Sequence, residues 1–178
     1  MRTWLVSLLV ALTCAGAVAA PAGARSSDRT RTVAARDALE AQVLAQVNQV
    51  RAQHGLAPLR LARGLTAAAD AHSRDMAKRG YFDHDGPGGW TFNKRMNRWY
   101  PQGSHRQWSA GENLLWYSPD VDAAEAVKMW MQSPGHRRNI LFPQWREIGL
   151  SAIHVDSAPG DFEDLEVTIL TADFGVRK

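Results

Sequence analysis

The chain has 178 residues, a net charge of +3 from 21 basic and 18 acidic residues, and one cysteine. The basic residues are scattered among acids, and Arg137-Arg138 is only a doublet, so the one-sided positive stripe of a nucleic-acid binder is absent. A single cysteine excludes an internal disulfide framework.

Arg2, the apolar run Trp4 to Val10 and the small residues that follow have the layout of a secretory signal peptide over residues 1–19. Ala17-Val18-Ala19 fits its small-x-small cleavage site. The run is short for a bilayer span, which takes about 20 residues, and no second apolar stretch of that length follows. Cys14 lies inside this segment, but Ala11-Leu12-Thr13 before it is a poor lipid-attachment pattern. After cleavage the chain is cysteine-free, and an exported domain of this kind depends on its core alone. Residues 20–36, rich in Ala, Arg, Ser and Thr, are expected to be a disordered linker. Residues 37–178 then form one domain, expected to be a monomer without a transmembrane segment.

Structure is expected from Asp37 onward. Leu39, Val43, Val47 and Val50 share one helical face, and Gly55 and Pro58 end the helix. A second helix is predicted from about Leu61 to Lys78, with Leu65, Ala69, His72 and Met76 inward and Gly80 as the stop. Trp90 to Trp99 is expected to hold a shorter helix, and Gln107 to Trp116 to be extended. Ser118-Pro119 is read as a helix start, with Val121, Ala124, Val127 and Met131 on the apolar face and Trp130 beside them. Ser133-Pro134 repeats that capping grammar before Ile140 and Leu141. Two strands follow, around Ile148 to Ile153 and Glu166 to Thr171, joined through Ala158-Pro159-Gly160-Asp161. Helices first and locally connected strands last indicate an α+β fold with an antiparallel sheet covered by helices.

Four stretches are more specific: LAQVNQVRAQHGLAPLRL (44–61), AHSRDMAKRGYFDHDGP (71–87), GENL (111–114) and WMQSPGHRRNILFPQWREIGL (130–150), with LTADFG (170–175) closing the series. In this order they resemble the CAP superfamily, the cysteine-rich secretory, antigen 5 and pathogenesis-related proteins, in its bacterial secreted branch. The resemblance implies a three-layer α–β–α sandwich around a central antiparallel sheet. It also implies a cleft lined by two histidines and two acids. Matched motif by motif, these are His84 of YFDHD, Glu112 of GEN and His136 of SPGHR; Ser133 stands where the second acid would be.

His136 would be the third residue of a helix capped by Ser133, where the positive helix end disfavours imidazolium. A neutral ring suits a metal ligand or a base. His84 and His136, with Glu112 near them, would suit zinc or another divalent cation. Plainer roles exist for each: a cap for His136, a solvated turn for His84, a strand-end acid for Glu112. His72 is expected to be a satisfied core histidine, and His54, His105 and His154 surface or loop residues. A Ser133–His136–Glu112 triad lacks a nucleophile-elbow pattern, and Trp116, Trp130 and Trp145 are expected in the core. The preferred function is a secreted, non-catalytic binding module for a lipid, a metal ion or a cell-envelope ligand. The alternative is a metal-dependent hydrolase of peptide or cell-wall material, with His84 and His136 holding the ion and Glu112 activating a water.

Overall fold

The computed structural model describes the backbone of residues 22–178 and the side chains from residue 33 onward. The signal-peptide reading of residues 1–19 and the position of Cys14 lie outside the described residues. The elements are α1 (Ala22–Gln53), β1 (Arg60–Leu61), α2 (Arg63–Arg79), α3 (Phe92–Trp99), β2 (Trp108–Tyr117), α4 (Ala123–Gln132), α5 (Pro134–Ile140), β3 (Glu147–Ala158) and β4 (Leu165–Arg177). A 3₁₀ turn, Gly160–Phe162, lies in the β3–β4 connection.

The sheet order is β1-β3-β4-β2. The three long strands pair antiparallel, whereas the two-residue β1 runs parallel to β3. The expected antiparallel sheet therefore carries one short parallel edge. One face packs Val43 and Val47 of α1, Val127 and Trp130 of α4 and Ile140 of α5 against Leu115, Ile148, Leu150, Ala172 and Phe174. The other packs Met76 of α2 and Phe162 against Leu114, Ile153, Val167 and Ile169. Helices cover both faces, giving the three-layer α–β–α sandwich of an α+β fold.

Gly149 sets how closely α2 lies on the sheet. A Cβ there would fall 2.0 Å from the Leu65 carbonyl carbon and 2.1 Å from the Thr66 nitrogen, so only glycine admits the helix backbone at this depth. Beyond β1 the open edge of β3 is covered by α1, where Glu40 Oε1 accepts from the Ala152 amide at 2.9 Å. Covering an edge in this way removes a template for strand addition.

Three local expectations differ. α1 begins at Ala22 and runs through residues 22–36, the stretch read as a linker. Its Ala and Arg content has high helix propensity, and Arg36 joins it to α2 through Asp70 at 3.4 Å. Ser118-Pro119 is a cis bond in the β2–α4 connection rather than a helix start. α4 begins four residues later, where the Asp122 side chain accepts from the Glu125 amide at 2.8 Å. Its inward face is accordingly Ala123, Ala126, Val127 and Trp130, and Ala124 is exposed. Finally, Ser133 has the extended backbone of a cap residue before α5, but its hydroxyl makes no capping hydrogen bond. Pro134 at the first helical position supplies the start instead.

Candidate functional site

Glu112 lies in the middle of β2, an edge strand, so groups can reach it from both helical layers around the open side. Side chains alternate along β2: Glu112 and Leu114 point toward α2 and α3, Gly111 and Asn113 toward α5. A Cβ at Gly111 would meet the Trp145 ring at 3.1 Å and Asn139 Oδ1 at 3.2 Å, so glycine lets α5 dock here. Asn139 Nδ2 donates to the Glu112 carbonyl and to Asn113 Oδ1, both at 2.9 Å. Asn113 Nδ2 donates to the carbonyl of His136 at 3.1 Å. Two asparagines thus fasten the turn carrying His136 to the strand carrying Glu112.

The loop carrying His84 is fixed from the opposite layer. Asp85 Oδ1 accepts from the Phe92 amide at 2.7 Å and Asp83 Oδ1 from the Asp85 amide at 2.9 Å. Arg95 donates to the His84 carbonyl at 2.9 Å. These bonds brace the loop, while Asp83, His84 and Asp85 remain exposed, as in the solvated turn considered from the sequence.

The Glu112 side chain is only 2% exposed, and both of its oxygens are bonded. Oε1 lies 2.7 Å from His84 Nδ1, and Oε2 accepts from Arg95 at 2.5 Å. His72 Nε2 lies 3.9 Å from Oε2. Burial pushes the Glu112 pKa up, but the His84 hydrogen bond and the charges of Arg95, His72 and His84 outweigh it, and the group stays below its ordinary value. That bond in turn raises the His84 pKa, against partial burial. The His84 side chain is 55% exposed, so the far edge of its ring faces solvent.

His136 is the third residue of α5, as expected, and is half-buried. Its pKa is lowered, first by burial and then by the charge of His84. The direction matches the sequence reading; the larger cause is burial. Ser133 is half-buried at the head of the same helix.

His72 is a core histidine, fully buried, with Nε2 2.9 Å from the Asp83 carbonyl. Burial lowers its pKa to about 4. It also backs Glu112, a contact its place on an apolar helical face did not reveal. Trp130 and Trp145 are buried and Trp116 is half-buried, as core residues. Trp130 Nε1 donates to the Leu114 carbonyl at 3.0 Å.

Sequence reasoning missed Arg95, Asn113, Asn139 and Asp173, and His154. His154 is a surface residue, as expected, and lies near the middle of β3. Its Nδ1 is 3.2 Å from Asp120 and its Nε2 is 3.2 Å from Glu166. Among the described residues, Asp120, His154 and Glu166 are the three whose donor atoms all lie within 4.8 Å of one another; His84, Glu112 and His136 do not close to that spacing. A carboxylate faces each ring nitrogen of His154, which is the arrangement of an exposed ion-pair cluster. A cavity of about 610 Å³, lined in part by Val33, Leu39, Ile153 and His154, includes none of His84, Glu112 or His136.

Residues 44–173 match the family described as the cysteine-rich secretory protein family, CAP. The chain is 34% identical over 139 residues to the Bacillus subtilis protein YkwD, covering 78% of this chain and 52% of that protein. It thus spans about half the length of that relative. An extracellular protein containing an SCP domain from Bacillus anthracis superposes with a TM-score of 0.61 at 27% identity, over 80% of this chain and 41% of that one. An outer surface protein of Borrelia burgdorferi gives a TM-score of 0.59 at 18% identity, over 76% of this chain and 90% of that one, a likeness of fold.

Proposed function

The chain belongs to the CAP family, and from that premise we propose that it is an exported, non-catalytic binding module whose cleft presents His84 and His136 to a ligand. The observation that carries this reading is the state of Glu112: buried, with one oxygen committed to His84 and the other to Arg95. A general base must come within hydrogen-bond reach of the water it activates, and a carboxylate that is 2% exposed is turned away from solvent. Glu112 instead acts as an anchor. By accepting at Nδ1 it fixes the tautomer of His84 and leaves Nε2 on the exposed side of the ring.

A carboxylate behind a histidine is the usual support for an imidazole that binds a metal ion. The residues therefore fit a divalent cation such as zinc, held by His84 and His136 with Glu112 behind rather than among the ligands. Such an ion would supply a Lewis-acidic point at the mouth of the cleft. The same exposed nitrogen would serve equally as the polar contact for a lipid or cell-envelope headgroup. The hydrolase alternative draws no support from Glu112, because its carboxylate is turned inward. The export reading rests on residues 1–19 of the sequence and on the likeness to an extracellular protein of Bacillus anthracis.

Zinc titration of the purified chain by calorimetry, with elemental analysis, tests this. The expected result is near one equivalent bound in wild type and loss of binding in both His84→Ala and His136→Ala. Peptide or cell-wall hydrolysis abolished by Glu112→Gln would overturn the non-catalytic reading. Full zinc binding by both alanine variants would overturn the assignment of the cleft.

A further inference from the structure

Asp173 is fully buried in β4, and neither of its carboxyl oxygens has a hydrogen-bond partner. A buried carboxylate with no donor is among the costliest groups a fold can hold. Its surroundings show what stands in for a donor. On one side β4 pairs Asp173 with Gly149 of β3, which has no side chain and is roofed by the α2 backbone. On the other side it pairs directly with Glu112 of β2. Directly opposed residues in an antiparallel pair point to the same face with Cβ atoms about 4.5–5.5 Å apart. Two acids therefore face one another in a buried layer. The charged and titratable groups packed around them are Arg95 from α3, His72 from α2 and His84 from the loop between them.

Two carboxylates cannot both be ionised in that position, but a carboxylic acid beside a carboxylate makes a short, strong hydrogen bond. The proton belongs on Asp173, because Glu112 already has His84 and Arg95 to hold its charge and Asp173 has neither. We propose that Asp173 is an un-ionised carboxylic acid that donates its proton in a hydrogen bond to the Glu112 carboxylate from beneath, within the sheet.

The direction of its titration agrees. Burial first, and then the Glu112 charge and hydrogen bond, push the Asp173 pKa well above the ordinary aspartate value against the pull of Arg95. Asp173 is then a positioning residue. It holds the Glu112 carboxylate from within the sheet while Arg95 and His84 hold it from α3 and the loop. The inference rests on the reading of Glu112 as the anchor of the cleft, but its test needs no ligand.

The full chain labelled with ¹³C at its carboxyl carbons provides the test, with Asp173→Asn assigning the resonance. The expected result is an Asp173 carbon at its acid chemical shift at pH 7 while Glu112 sits at its carboxylate shift. An ionised Asp173 at pH 7, or a protonated Glu112, would overturn the proposal. Stability gives a second readout. A neutral Asp173 in the folded state makes wild type lose stability relative to Asp173→Asn as pH rises above about 4, by up to tenfold in the folding constant per pH unit. A ratio that does not change with pH would count against it. Asn keeps an N–H donor toward Glu112, so the Glu112 titration midpoint should stay in place in Asp173→Asn and rise in Asp173→Leu. Should the leucine variant not fold, the wild-type and asparagine spectra still decide the question. Zinc binding could fail while Asp173 stays protonated, or succeed while it is ionised, so the two readings fail separately.

Discussion

His84 Nδ1 lies 2.7 Å from Glu112 Oε1, joining a half-exposed imidazole to a buried carboxylate 28 residues away in the chain. The bond raises the His84 pKa, and the sign of its effect on folding follows. The stabilisation is fully present below the unfolded value of about 6.5 and is lost as pH rises through the higher folded value. Glu112→Gln removes the charge, so the His84 midpoint should fall, which an imidazole NMR titration would measure. An unchanged midpoint would mean the contact does not persist in solution. A metal ion needs the deprotonated ring, so zinc affinity should rise with pH through the same midpoint.

His72 works in the opposite direction. Its folded pKa is about 4, below the ordinary 6.5. Between those values the unfolded chain binds a proton that the folded chain refuses. Stability is therefore present above pH 6.5 and lost as pH falls toward 4, by about 3 kcal/mol in all. His72→Gln keeps a donor for the Asp83 carbonyl but does not titrate. Urea midpoints at pH 7 and pH 4.5 should differ less in this variant than in wild type; parallel curves would remove His72 as the acid-sensitive group.

The legible parts of this molecule were those that obey a period or a motif. Leu65, Ala69, His72 and Met76 recur at helical spacing, and all four are fully buried on α2. His136 came out as the third residue of its helix because Pro at a helix start is a strong local signal. Arg95, beside Lys94, and Asp173, between Ala172 and Phe174, stayed hidden because a lone charge ordinarily reads as a solvated position. Whether it is buried depends on a partner such as Glu112, supplied by another strand. Ser118-Pro119 carries the same letters as Ser133-Pro134, yet only the second opens a helix. The difference lies at Asp122, whose side chain caps α4 further along the chain.

The Arg95–Glu112 pair is buried at both ends, the two side chains being 0% and 2% exposed. Removing one member leaves the other as an uncompensated interior charge. Glu112→Ala is expected to lose about 3–5 kcal/mol of stability, whereas removing both partners costs much less than the sum of the two single changes. A chemical-denaturation double-mutant cycle with Arg95→Met measures that coupling. Additive losses would show that Arg95 is balanced elsewhere.

Gly149 tests the packing that brings His72 over Glu112. It lies between β1 and β4 in the sheet, paired with Asp173, and the first turn of α2 crosses it. A methyl group there would fall within about 2 Å of backbone atoms of Leu65 and Thr66, which no side-chain rotation can relieve. Gly149→Ala must therefore lift α2 off the sheet or shift β3, at a cost of at least about 2 kcal/mol. Lifting α2 carries His72 away from Glu112 and opens the layer around Asp173 to water. The expected result is a lower denaturation midpoint together with a His72 titration moved back toward 6.5. A variant as stable as wild type, with His72 still titrating near 4, would show that α2 does not rest on this glycine.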